Sequence, residues 1–198
     1  MEKLKIGLVG CGLMMSSHVS GADQIKNAKI VAVCDIIRER AEKVAEVLDN
    51  PKIFTDWRDM VDEVDAVLVA LPHDLHYECG LFFARHKKHV LMEKPLCNTK
   101  EECEDLIAVC KEEGVVLMCA YPVPHYPAVR KIKELIDSGE YGKVIQVSMW
   151  TEQFTKPEEY EWGRTARLGG GQFFSHGCHS SVLGKAKGGT NDRPCSVR

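Results

Sequence analysis

The stretch "LKIGLVGCGLMMSSH", residues 4–18, sets an apolar run ahead of Gly10-Cys11-Gly12 and a helix-compatible run behind it. Strand, glycine turn, helix is the context in which backbone amides meet a negatively charged group. Gly10 allows a tight turn and Gly12 lets a pyrophosphate approach the backbone, with Cys11, Leu13 and Met14 completing the loop. The third glycine of such a fingerprint, which serves close packing of helix on strand, is replaced by Met15. Asp35 restores the signal. It ends the next apolar run, about 20 residues past Gly12, where a carboxylate grips a ribose diol. A carboxylate there repels a 2′-phosphate, so the expected cofactor is NAD, with NADP disfavoured.

Working outward, "KIVAVC" (29–34), "AVLVAL" (66–71), "HVLME" (89–93) and "VVLMCA" (115–120) read as further strands. Most are apolar on both faces, as in a parallel sheet covered by helices. Amphipathic stretches separate them. Ala41, Val44, Ala45 and Leu48 share one helical stripe, and so do Cys103, Leu106, Ile107 and Cys110. Thr99 followed by Glu102 predicts a capping box at the start of the second helix. Repeated strand–helix–strand units imply right-handed crossovers and an α/β, Rossmann-type doubly wound parallel sheet over residues 1–121.

The texture changes at "YPVPHYP" (121–127), a proline-rich break of the kind that joins domains. A helix follows with Val129, Ile132 and Ile136 on one stripe, then "KVIQVSMW" (143–150) alternates with period two, as an antiparallel strand with one wet face does. Residues 122–183 are therefore expected to begin an α+β domain that is incomplete. The last stretch, 184–198, is rich in glycine and polar residues and reads as a disordered tail.

The rest of the composition mainly excludes. A net charge of −3 gives no field for nucleic acid or an anionic membrane. The basic run Arg85-His86-Lys87-Lys88-His89 is expected to close a helix, where cations suit the negative end of its dipole. Nine cysteines form no C-x-x-C pair, and several fall at core-like positions, which reads as reduced thiols in the cytoplasm. The apolar run before Cys11 is too short for an export signal, and no transmembrane segment is expected.

Two further motifs lie at carboxyl ends of strands, where ligands bind in open α/β sheets. "ALPHDLHYE" (70–78) carries Leu71, Pro72 and His76; "VLMEKPLCNT" (90–99) carries Glu93, Lys94 and Pro95. Proline after Lys94 turns the chain out of its strand, and a desolvated lysine can share in proton transfer. Further on, "GGGQFFSHGCHS" (169–180) sets three glycines before His176, Cys178 and His179. Metal, structural and chemical roles are all open to this cluster. On a helix Cys178 would point away from the two histidines, and no other Cys/His group has structural-zinc spacing, so chemistry is favoured and no metal is expected.

Taken together, Gly10-x-Gly12, Asp35, Leu71-Pro72 with His76, Glu93-Lys94-Pro95 and Gly169-Gly170-Gly171 followed by His179 resemble the Gfo/Idh/MocA family of glucose–fructose oxidoreductases and inositol dehydrogenases. The resemblance runs from about Lys3 to about Leu183. It implies a nucleotide-binding domain and a second domain that walls the substrate site and builds a homo-oligomer. The implied reaction is oxidation or reduction of a sugar, cyclitol or related polyol. Lys94 corresponds to the lysine between nicotinamide and substrate, and His179 to the histidine that acts on the substrate hydroxyl; these two are the expected catalytic residues. Pro72 and His76 correspond to a loop bordering the nicotinamide. Ser175 stands where the family commonly has an aspartate, His176 lies next to it, and Trp162 and Arg164 are the further substrate-side candidates. Members are commonly nearly twice as long, which suggests a truncated or frame-shifted product. Two alternatives follow: an NAD-dependent glycosidase, and an NAD-binding protein or sensor without turnover.

Overall fold

The computed structural model of the chain describes residues 3–146. Six strands form one parallel sheet: β1 (Leu4–Val9), β2 (Ala28–Cys34), β3 (Lys52–Phe54), β4 (Ala66–Val69), β5 (His89–Glu93) and β6 (Leu117–Ala120). Their order is β3-β2-β1-β4-β5-β6. The chain builds outward from β1 in one direction, then returns to β1 and builds in the other. This reversal makes the gap between β1 and β4 the point where a crevice opens at the carboxyl ends of the strands.

The intervening helices are α1 (Leu13–Val19), α2 (Arg38–Ala45), α3 (His76–Arg85) and α4 (Lys100–Glu112). Val9, Val67, Val69, Phe83 and Met92 meet in the core between the sheet and α3. Leu8, Met15, Val33 and Ala41 form a second cluster beneath α1 and α2. Leu106 and Cys110 of α4 pack with Ala84 and Cys97 in a third, whereas Ile107 of the same expected stripe is 39% exposed at its edge.

Helix α4 begins as expected. The Glu102 amide donates to Thr99 Oγ1 (3.1 Å) and the Thr99 amide donates to Glu102 Oε2 (3.1 Å), closing a capping box. Thr99→Ala is expected to remove about 1 kcal/mol of stability, read as a lower midpoint in urea with an unchanged slope; no shift would show the cap to be dispensable. Helix α3 ends at Arg85, as the basic run suggested, with Lys87 at φ 60 beyond it.

Three differences from the expected elements have physical causes. β3 has only three residues, Lys52–Phe54, too few for a period to show. Its place comes from pairing with Ala32–Cys34. Among the described residues the sheet is also not covered on both faces: Met118 is 51% and Val116 62% exposed, beside an apolar groove lined by Leu8, Leu68 and Leu91. Finally, the described part of the expected strand at 143–150, residues 143–146, carries no strand pairing; the remainder lies outside the described residues.

Lys3–Ala120 belong to one compact unit and Tyr121–Gln146 to a second. The second contains α5 (Pro127–Ser138), with Pro127 in its first turn and Gly139 at φ 69 after its end. Both are efficient helix signals, because Pro has no amide to waste there and Gly adopts the left-handed cap freely. The expected stripe is present, but α5 has no buried residue and Ile132 is 45% exposed.

Candidate cofactor site

The glycine loop links β1 to α1 across the gap between β1 and β4. Gly10 sits at φ 86, and a Cβ there would lie 2.4 Å from the Ala70 carbonyl oxygen. Its amide donates to the Cys34 carbonyl (2.8 Å) while the Ala70 amide donates to the Val9 carbonyl (2.8 Å), so three chain segments close at this point. Gly10 is demanded by the protein's own backbone. Gly12 differs: its φ is −79, and a Cβ there would meet nothing within 4 Å. Nothing in the described fold requires glycine at position 12, and the space above it is what an approaching pyrophosphate would use.

Met15 explains how the loop manages without a third glycine. Its side chain is fully buried with Leu8, Cys11, Val33 and Ala41, filling the space between helix and sheet instead of closing it. Cys11 contributes its backbone; burial pushes its thiol, and that of Cys34, up to about 12, so neither is a ready nucleophile at neutral pH.

Asp35 follows β2 and is 7% exposed. One carboxylate oxygen accepts from the Cys11 amide (2.8 Å), tying the acid to the glycine loop, and the other accepts from the Ile37 amide (2.9 Å). A carboxylate offers about four acceptor sites, so capacity remains for a ribose diol. Beside it Ile36 is 87% exposed, and Leu13 and Met14 at the head of α1 are 73% and 45% exposed. Exposed apolar side chains flanking a carboxylate suit an adenosine, whose ring is apolar and whose ribose is not. Ile36 was not singled out from sequence; its place directly after Asp35 was the available signal.

At the ends of β4 and β5 the structure gathers the other expected residues. Glu93 is 7% exposed, with one oxygen 2.7 Å from His18 Nε2 and the other accepting from the Lys94 amide (3.0 Å). Burial pushes its carboxyl up, but the His18 hydrogen bond and the charges of His18 and Lys94 outweigh that and hold it below the usual range. Glu93 therefore anchors the turn that carries Lys94 and ties it to α1. His18, at the last turn of α1, was missed in the sequence because its partner lies far along the chain.

His76, expected with Pro72 to border the nicotinamide, stands at the first position of α3 with its side chain fully buried. Its ring nitrogens lie 2.8 Å from the Pro95 carbonyl and 2.9 Å from the Leu71 carbonyl. Leu71 and Pro72 lead from β4 into a 3-10 turn at His73–Leu75, and the Lys94–Pro95 peptide that follows β5 is cis. The remaining expected residues, Trp162, Arg164, Ser175, His176 and His179, lie outside the described residues, as does the Gly169–Gly171 run. Among the described residues no group of three or more His, Cys, Asp or Glu side chains could hold a metal ion. A groove of about 980 Å³ between α1 and α2 reaches Gly12 at one end but runs toward Lys3 and Ala28, away from Asp35 and Lys94. It is not the crevice these residues define.

Sheet order, glycine loop and Asp35 define a dinucleotide-binding α/β domain. Residues 4–121 match the model of the oxidoreductase family with an NAD-binding Rossmann fold, GFO_IDH_MocA, and residues 129–183 match the GFO/IDH/MocA C-terminal domain. The chain belongs to this family. It is 30% identical over 182 residues to the 2,7-anhydro-N-acetylneuraminate hydratase of Mediterraneibacter gnavus, covering 89% of this chain and 47% of that protein. It is 29% identical over 166 residues to the inositol 2-dehydrogenase/D-chiro-inositol 3-dehydrogenase of Lactiplantibacillus plantarum, covering 81% and 47%. Among solved structures, the WlbA dehydrogenase of Bordetella pertussis, in complex with NADH and UDP-GlcNAcA, is similar with a TM-score of 0.67 and 27% identity, covering 71% of this chain and 44% of that one. The chain spans about half the length of the curated relatives it matches. No helix among the described residues is long and apolar enough to cross a membrane.

Proposed function

We propose that the chain carries the cofactor-binding part of an NAD-dependent oxidoreductase acting on a CH–OH group of a sugar, cyclitol or related polyol. The observation that supports this most is the pairing of Gly12, a glycine the described fold does not require, with Asp35 bonded to the same loop. The inositol dehydrogenase and the NADH-bound WlbA dehydrogenase among its relatives favour the same substrate class. NAD is preferred to NADP because the Asp35 carboxylate would face a 2′-phosphate.

Gly10–Met14 hold the pyrophosphate and Asp35 the ribose; NAD, when bound, supplies the hydride acceptor. Lys94, fixed through its amide by Glu93, orients the substrate hydroxyl and shares in moving its proton. His179 is the second candidate for that proton, with Trp162, Arg164, Ser175 and His176 on the substrate side. Whichever of Lys94 and His179 does not take the proton stabilises the developing alkoxide by a charged hydrogen bond. Assembly as a homo-oligomer through the second domain belongs to this reading. So does a cytosolic site of action, where buried thiols such as Cys11, Cys34 and Cys79 stay reduced.

The test is NADH production from NAD with a panel of inositols and hexoses. Lys94→Ala is expected to abolish turnover while leaving NAD affinity within about threefold, because a positioning and proton-transfer group commonly supplies about 10²–10⁴ in rate. Unchanged turnover in this variant would remove Lys94 from the chemistry. The hydratase relative favours a second reading in which the bound cofactor is restored within each cycle. That reading predicts substrate loss without NADH accumulation, in the same assay.

A further inference from the structure

His76 stands at the first position of α3, yet its ring does none of the work of that helix. It lies between two carbonyl oxygens, that of Leu71 in the turn after β4 and that of Pro95 in the turn after β5. These turns come from neighbouring parallel strands whose pairing ends at Val69 and Met92, so no ladder bond fixes one turn to the other beyond that point. We propose that His76 is a positioning residue, a bolt joining the Leu71–Pro72 turn to the Lys94–Pro95 turn and thereby setting where Lys94 stands over the glycine loop. The inference rests on the reading of Lys94 and the loop as a cofactor site.

The alternative for a buried histidine is simple space-filling in the core. Three observations oppose it. Both ring nitrogens have close polar partners, whereas a space-filling ring needs none. Both partners are main-chain carbonyls of residues in expected cofactor turns, not of α3's own backbone. The Pro95 carbonyl also lies one residue past Lys94, so a ring that fixes it limits the freedom of Lys94 directly. A neutral imidazole can donate from one nitrogen only; burial favours that neutral form, while the two carbonyls and the Glu93 carboxylate favour a second proton. A doubly protonated ring donates to both carbonyls; in the neutral form, the tautomer that donates to Pro95 still ties the start of α3, five residues past Leu71, to the Lys94–Pro95 turn. The His18–Glu93 pair links that same turn to the glycine-loop helix.

The experiment compares His76→Phe, His76→Gln and Phe83→Leu in the full chain. Phe83 is fully buried about two turns further along the same helix and makes no polar link to either carbonyl, so Phe83→Leu reports what loss of core packing alone does. Hydrogen exchange without any cofactor is read on peptides covering 70–75, 93–98 and the body of α3. His76→Phe is expected to raise exchange in both turn peptides by about tenfold, as loss of a buried hydrogen bond does. His76→Gln, which keeps one donor, should recover part of the protection, and Phe83→Leu should act mainly within α3. Equal exchange in the turns of all three variants would overturn the proposal. NADH affinity is then measured on the same set, with a drop of about tenfold expected for His76→Phe and little change for Phe83→Leu. If the turns loosen but His76→Phe binds NADH as the parent does, the turns do not serve the cofactor and the positioning role fails. If the parent itself binds neither NADH nor NADPH, it is the cofactor reading that fails, which the exchange data then separate from the bolt.

Discussion

Gly10→Ala is expected to lower the melting midpoint of the protein by about 10 °C or more, whereas Gly12→Ala leaves it nearly unchanged and weakens nucleotide binding instead. The two glycines are separated by one residue and look alike in sequence. Their surroundings differ. At position 10 a side chain must adopt φ 86 and would sit 2.4 Å from the Ala70 carbonyl oxygen, which belongs to backbone and cannot swing away. The left-handed conformation costs about 1–2 kcal/mol for alanine. Relief of the contact must further pull the end of β1 from β4, where the Val9 carbonyl accepts from the Ala70 amide. A total near 3 kcal/mol is a large part of the ~5–15 kcal/mol that holds a domain folded. At position 12 the backbone is extended and the space is open, so alanine costs the fold almost nothing and obstructs only a ligand. Melting curves and NAD titrations of the two variants check this. Equal loss of stability in both would mean that Gly12 is also structural.

Asp35→Ser is the second large effect, and it has two parts. The Cys11 and Ile37 amides would lose a charged acceptor, and a buried donor left unpaired costs about 1–3 kcal/mol. Serine is shorter and can replace at most one of the two bonds. The other part is selectivity. Removing the carboxylate removes both its grip on the ribose diol and its repulsion of a 2′-phosphate, so the ratio of NAD to NADP affinity should fall by about tenfold or more. Parallel titrations with both nucleotides measure it. A ratio that stays constant while stability drops would reduce Asp35 to a structural support of the glycine loop.

The central strands were legible because each is a short apolar run bounded by a turn: β1 and β5 fall at the residues read from sequence, and β2 within one. Asp35 and the capping box at Thr99 were legible because they act over local, fixed spacings. Met15 showed only as a missing glycine, since its role depends on Ala41 and Val33 arriving from elsewhere in the chain. The same holds for His18, whose partner Glu93 comes from another strand, and for His76, whose two carbonyl partners a side-chain motif cannot reveal. The stripe on α5 marked a helix correctly but could not say what lies against it.

The most direct measurement is the thermal melt of the full chain with NAD, with NADP, and with neither. Binding to the folded state alone adds about 2.7 kcal/mol at a hundredfold excess over Kd. The account predicts a cooperative melt whose midpoint rises with NAD and moves little with NADP. A cooperative melt unmoved by either nucleotide would contradict it, because a folded domain would then have been shown without the cofactor site that Gly12 and Asp35 are held to form.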